Sequence, residues 1–390
     1  MRCLSPLLSQ KRNIMEEKIK ERNYLWIKIA VALLCTAFLV CLVVVQYIFR
    51  TYSTYRVVGE TAVVSEESNR SCKLGDHLIL YNKDGMRCLD MKGRAVWDVT
   101  YQIQEPCIVV DDNTAAVAGY GDNLIYIVDE SGKIGEIKTN LPIRNLCVSK
   151  AGYVGAVLDD NDVYWIYVFD VKGNEIIKAR TTMEQSGYPL SISLSPNAKL
   201  LGVSFLYLDA GTVQSNVAFY NLGEVGQNYT GQYMSGYKYE EVVSEIHYMT
   251  NSVAMAISDG RFMVYEGTEK PILIKSVMLN DAPKAVYWGD EYAALVYNGT
   301  AGQSKYQIQI FDLAGEVVQE IALNSEYSDI KIQNGIVTIY DSDEILVYTL
   351  DGKQRFSGNF GESVLAVEPT SKKYRYMVLG EENYRIIELE

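Results

Sequence analysis

A short pattern recurs along most of this 390-residue chain: apolar, any residue, apolar, bulky, then Asp or a substitute, two further residues, then Gly. It reads Ile125–Asp129 with Gly132, Ile166–Asp170 with Gly173, Ile308–Asp312 with Gly315, and Ile345–Thr349 with Gly352. Met86–Asp90 with Gly93 keeps the spacing, whereas Val217–Asn221 with Gly223 and Phe262–Glu266 with Gly267 are one and two residues shorter. Each instance reads as a strand feeding a tight hairpin. Alternation puts one face inward, and Gly supplies the positive φ that the turn needs. The marking glycines are separated by 39, 41, 50, 44, 48 and 37 residues. A period near 40–45 with several strands per unit is the signature of propeller blades. A β-sandwich would not repeat one hairpin at that period, and a helical solenoid would show helices.

Two segments lack hairpin partners. Tyr384–Glu388 opens the pattern again near the end of the sequence without its glycine, and Tyr55–Val64 is an isolated strand-like run. Together they predict an all-β, eight-bladed β-propeller over residues 50–390, whose last blade takes its outer strand from residues 55–64 and so closes the ring. The 334 residues after Arg56 give about 42 per blade. Seven blades is the alternative if Met86–Gly93 is irregular.

Ahead of the repeats, Ile29 to Phe49 is 21 residues without a charge, long enough to cross a hydrocarbon core as a helix. Tyr24, Trp26 and Tyr47 stand at its two ends, where aromatic rings favour the interface. Residues 1–28 carry seven basic and three acidic groups, so they are expected to be cytoplasmic, with 29–49 as a single transmembrane helix. A cleavable signal peptide would have a shorter apolar region ending in small residues, and here the run ends in Gln46-Tyr47-Ile48-Phe49-Arg50. Met15 also qualifies as a start, since everything an anchor needs follows it. The expected location is the cell membrane, single-pass, with the C-terminal domain extracytoplasmic. Of the overall charge of −13, residues beyond 56 hold −19. Such a surface disfavours polyanions, which excludes a nucleic-acid partner.

Ser195-Pro-Asn-Ala-Lys-Leu-Leu201, after Ser191-Ile-Ser-Leu194, resembles the strand–turn–strand element of WD40-like, TolB-like and PQQ-like propellers, with Asn-Ala standing where an SPDG-type turn has Asp-Gly. The stretches 186–190, 207–209, 218–227, 97–106 and 139–143 resemble a more particular group: a domain-of-unknown-function family of membrane-anchored propellers of Gram-positive, clostridia-type bacteria. That resemblance spans nearly the whole chain. It implies fold and topology and is silent on chemistry.

Candidate chemistry is sparse. Asp159-Asp-Asn-Asp162 suggests a calcium loop, but the fifth position is Val163 or Tyr164, so the alternating ligand pattern fails. Asp341–Glu344 and Asp111–Asn113 read as turns for the same reason. Gly119-Tyr-Gly121 lacks the third glycine of a dinucleotide loop, and no G-x-S-x-G elbow is present. The two histidines, His77 beside a turn and His247 in an alternating strand, have no partner visible in the sequence. No cofactor or metal is expected. Cys72, Cys88, Cys107 and Cys147 form no C-x-x-C pair. Cys88 and Cys147 read as buried free thiols, and bridges from Cys72 to Cys107 or Cys88 stay open. The sequons at Asn69, Asn228 and Asn298 have no meaning in the bacterial setting that the resemblance implies.

Of the 30 tyrosines, those on strands, such as Tyr126, Tyr167, Tyr220, Tyr265 and Tyr348, are expected to pack between blades. Tyr229, Tyr233, Tyr237 and Tyr239, in the Gly-rich segment 226–239, could form a recognition loop, because tyrosine offers contact area with a polar handle. The expected function is therefore a non-enzymatic, membrane-anchored module that binds or scaffolds a protein or a cell-wall-associated ligand. The rivals are a propeller lyase or hydrolase acting on a surface polymer, and a membrane-associated assembly or secretion factor.

Overall fold

The computed structural model describes residues 26, 28–29, 31–42, 50–63, 70–183, 186–300 and 302–390. From Tyr52 onward the chain builds eight four-stranded antiparallel sheets. In sequence order the blades occupy residues 70–100, 106–138, 143–182, 188–239, 243–278, 285–323 and 329–359, and the eighth combines 364–389 with Tyr55–Ala62. Met86–Gly93 belongs to a regular sheet, so the count is eight. Within each blade strands A to D run from the channel outward, and consecutive strands pair.

The repeat has a direct physical cause. Asp90 Oδ1 accepts the N–H groups of Lys92 and Arg94, at 2.8 and 2.9 Å, inside the C–D turn of blade 1. Asp170 and Asp312 do the same in blades 3 and 6, at 2.9 to 3.0 Å. Gly93, Gly173 and Gly315 take positive φ at 71°, 81° and 74°, where a side chain would be strained. The pattern thus encodes a self-satisfying turn, not a ligand site. Blade 4 departs from it. Its C–D connection runs from Leu222 to Gln232 through two 3-10 turns, Gly226–Asn228 and Thr230–Gln232.

Closure uses Tyr55–Ala62, which pairs antiparallel with Asn383–Leu389 from Tyr55↔Leu389 to Ala62↔Asn383, through a bulge at Val57/Gly59. The preceding residues are tied in as well: Tyr52 N–H donates to Arg355 O at 2.7 Å, and Glu390 N–H to Thr54 O at 2.8 Å. The core is a series of inter-blade layers of Val, Ile, Leu, Ala and aromatic side chains. One example sets Ala116, Ile127 and Ile137 of blade 2 against Leu146, Val154 and Tyr167 of blade 3.

Residues 31–42 are helical and exposed. Among the described residues no helix is long and apolar enough to cross a membrane. Of the expected 29–49 span, residues 30 and 43–49 lie outside the described residues, as do nearly all of 1–28.

Candidate functional site

The ring has two unlike faces. One carries the A–B and C–D turns, the other the B–C turns and the connections between blades. On the first, the A–B turns around the channel are stitched to one another. Gly75 N–H donates to Asp112 O (2.8 Å), Lys150 N–H to Asp111 Oδ2 (2.7 Å), and Ala151 N–H to Pro196 O (3.1 Å). Asn197 N–H reaches Asn251 Oδ1 (2.9 Å), Asn334 N–H reaches Asp290 Oδ2 (3.4 Å), and Ser371 N–H reaches Asp76 Oδ1 (2.7 Å). Asn334 Nδ2 to Ser371 O (3.5 Å) joins blades 7 and 8. Every blade junction is latched in this way except that between blades 5 and 6, where the described residues show no such bond.

Polar groups also knit the channel wall. Ser191 and Ser193, on the inner strand of blade 4, accept the N–H groups of Ile246 and Tyr248 of blade 5 at 3.2 and 2.9 Å. Lys331 of blade 7 is held between Asp329 at 2.9 Å and Glu368 of blade 8 at 2.8 Å. Lys73 Nζ of blade 1 reaches past blade 8 to Gln333 Oε1 at 2.5 Å. Burial works against the Lys331 ammonium, but Glu368 and Asp329 outweigh it and hold its pKa above the ordinary lysine value. Glu368, only 4% exposed, is pushed up by burial against the pull of Lys331. Burial lowers the Lys73 pKa, opposed by Glu368 and Asp76. Lys331, Asp329 and Glu368 thus satisfy one another across blades 7 and 8, and Lys73 ties in blade 1 through Gln333.

The unlatched junction is held from the strands instead. His247 of blade 5 stacks on Trp288 of blade 6, with ring centroids 5.2 Å apart and planes 13° from parallel. Trp288 Nε1–H donates to Glu245 Oε2 at 3.0 Å. Burial lowers the His247 pKa to about 4. At the face with the B–C turns this junction opens into a cleft of about 330 Å³, between Val242, Ser244 and Glu245 on one side and Pro283, Lys284 and Val286 on the other.

On the same face, large apolar side chains stand in solvent along an arc from blade 2 to blade 5, of which Val242 lines the cleft: Tyr120 (67% exposed), Met183, Leu208 (61%), Val213, Val242 and Met278 (63%). Leu208 and Val213 form a cross-strand pair near the tip of the long B–C hairpin of blade 4, where Leu200–Asp209 pairs with Thr212–Asn221. Arg144 lies over the Tyr120 ring at 4.7 Å and is pinned by Asp159 at 2.5 Å, which orders this part of the rim. Sequence reasoning missed this arc. Its one legible signal was the length of the blade 4 hairpin, ten residues per strand where neighbouring B and C strands have five to seven.

The four tyrosines of segment 226–239 are split. Tyr229 and Tyr233 are exposed, at 51% and 45%, on the insertion of blade 4 and at its exit. Tyr237 and Tyr239 lie not in a loop but on strand D, Tyr233–Tyr239, facing blade 5. Tyr237 Oη donates to Pro271 O at 3.3 Å, and the Tyr239 and Tyr265 hydroxyls are hydrogen-bonded to each other at 2.6 Å. The glycines in this segment suggested loop, and Gly226 and Gly231 do lie in the 3-10 turns, but Gly236 falls within the outer strand.

Cys72, Cys88, Cys107 and Cys147 are free thiols. Burial pushes Cys88 and Cys147 up to about 12, so they hold their protons and serve as small packing groups. Among the described residues no group of three or more His, Cys, Asp or Glu could hold a metal. His77 begins a strand with Nδ1 3.4 Å from Glu130, far along the sequence from His247 and across the ring.

Architecture and site together define an eight-bladed propeller with one latched face and one partly apolar face. The chain belongs to a family of unknown function, DUF5711, whose sequence model matches residues 48–389. No curated protein matches the sequence. Two solved structures share the fold at 10% identity. Moraxella catarrhalis BamB gives a TM-score of 0.52, over 86% of this chain and all (100%) of that one. Chaetomium thermophilum Sqt1, bound to the N-terminus of ribosomal protein L10, gives 0.55 over 85% of this chain and 99% of that one.

Proposed function

We propose that this protein is a membrane-anchored, extracytoplasmic propeller acting as a binding and scaffolding module, with a protein of the cell envelope as its partner. The observation that carries this reading is the arc of exposed apolar side chains from Tyr120 to Met278, on the face that also holds the cleft between blades 5 and 6. Exposed apolar side chains concentrated on one face mark protein interfaces, and an aromatic or aliphatic anchor seated in a pocket is the usual hot spot. The cleft offers such a seat, with Glu245 fixed by Trp288 and Lys284 beside it to orient a polar group. The Sqt1 structure, in which the same fold is bound to a segment of another protein, supports the reading by analogy.

Anchoring rests on the uncharged run 29–49 behind a basic segment. A non-enzymatic role fits the channel, where Asp329, Lys331 and Glu368 are committed to one another and not to an open reaction centre. The test has two arms. Protease added to intact cells should remove everything after Arg56, and protection of that part would overturn the topology. Pull-down of the full chain from its native membrane should recover one stoichiometric protein that Leu208→Asp with Met278→Asp releases at least 10-fold. Retention by the double variant would remove the rim from the account.

A further inference from the structure

The insertion of blade 4 does more than lengthen a turn. Between it and blade 5, on the face with the A–B turns, lies a second pocket of about 570 Å³, within the ~300–1,000 Å³ range of small-ligand sites. Its wall is formed by Asn197, Lys199, Asn221, Glu224, Asn251 and Glu269, with Val225 as the one aliphatic side chain. Small-ligand pockets are usually apolar with a few polar groups, so a wall this polar calls for a ligand polar over its whole surface.

The floor is built in advance. Asn221, 3% exposed, donates from Nδ2 to Glu269 O at 3.0 Å and accepts Gly223 N–H on Oδ1 at 2.9 Å. Leu222 N–H donates to Lys199 O at 2.8 Å, and Tyr229 N–H to Gly226 O at 2.9 Å. Gly226 sits so close to the Asn221 carbonyl that any side chain there would collide with it. The functional atoms, by contrast, are uncommitted. The Lys199 ammonium, the Glu224 and Glu269 carboxylates, and the Nδ2 groups of Asn197 and Asn251 hold no hydrogen bond or ion pair among the described residues. Donors and acceptors thus alternate around one cavity, and two carboxylates against one ammonium disfavour an anion.

We propose that this pocket binds an uncharged, pyranose-based oligosaccharide. Each sugar hydroxyl both donates and accepts, which matches the mixed set of free groups. The site is independent of the protein-binding rim, on the opposite face.

The test titrates the full chain in detergent with N-acetylglucosamine tetramer and with cellotetraose, followed by saturation-transfer NMR. A triglycine peptide serves as a zwitterionic control. At least one saccharide should bind saturably, and Lys199→Ala with Glu269→Ala should weaken it at least 10-fold without moving the melting transition. Leu208→Asp should leave it unchanged. Binding of neither saccharide at millimolar concentration, binding indifferent to the double variant, or saturable binding of triglycine alone would each overturn the assignment. None of these results would bear on the protein partner.

Discussion

Lys331 is the residue whose loss the ring should tolerate least. It compensates Glu368, which burial leaves with no water to replace a lost partner. Removing one member of a buried pair costs about 3–5 kcal/mol, because the other charge is stranded. Lys331→Met should therefore lower stability by about that amount in chemical denaturation, and an unchanged midpoint would mean that Glu368 is solvated. His247 makes a separate prediction. Its pKa falls from the ordinary 6.5 to about 4, so the unfolded chain takes up a proton before the folded one does. Stability should drop as pH falls from about 6.5 to about 4, by up to about 3 kcal/mol. His247→Phe, which keeps a ring against Trp288, should flatten that slope, and a variant with the same slope would refute the assignment. Neither residue's role was legible in the sequence. Alternation placed His247 on a strand, but its partner Trp288 is 41 positions away, and Glu368 is 37 positions beyond Lys331. Only the turn aspartates could be read directly, because their partners lie two and four residues on.

At the scale of the element, two segments break the regularity of the blades and carry most of the account. Tyr55–Ala62 is a strand without a local hairpin, held by register with Asn383–Leu389. Deleting it would expose the edge of the last sheet and remove the hydrogen-bonded pairing that joins the two ends of the ring's sequence. The melting transition should fall markedly or disappear, and an unaltered transition would show that closure is dispensable. The strand itself was legible, since a β-branched run with no glycine turn beside it needs a distant partner. The blade 4 insertion was not. Gly223 mimics the turn glycine of the repeat, and nothing in the pattern says that the chain goes on through two 3-10 turns before Tyr233. The long hairpin Leu200–Asp209 with Thr212–Asn221 was legible only as extra length, because alternation looks the same whether a strand stops at the rim or projects from it.

Across the whole molecule, the eight-fold count followed from the spacing of the glycines, because each blade repeats one energetic solution, a self-capped hairpin packed between two neighbours. What spacing cannot report is how the two faces differ. One is latched by backbone and side-chain hydrogen bonds that bridge adjacent A–B turns, and the other leaves Tyr120, Leu208 and Met278 in solvent. That asymmetry depends on single residues in loops, which vary while the fold persists. It is also what turns a closed ring into a module with a working side. The most direct measurement places a photo-crosslinking amino acid at Leu208, on the rim, and at Val317, on the outer strand of blade 6, in the full chain within its native cells. Irradiation should yield one discrete protein adduct from position 208 and none from 317. Equal or absent adducts at both positions would contradict the account.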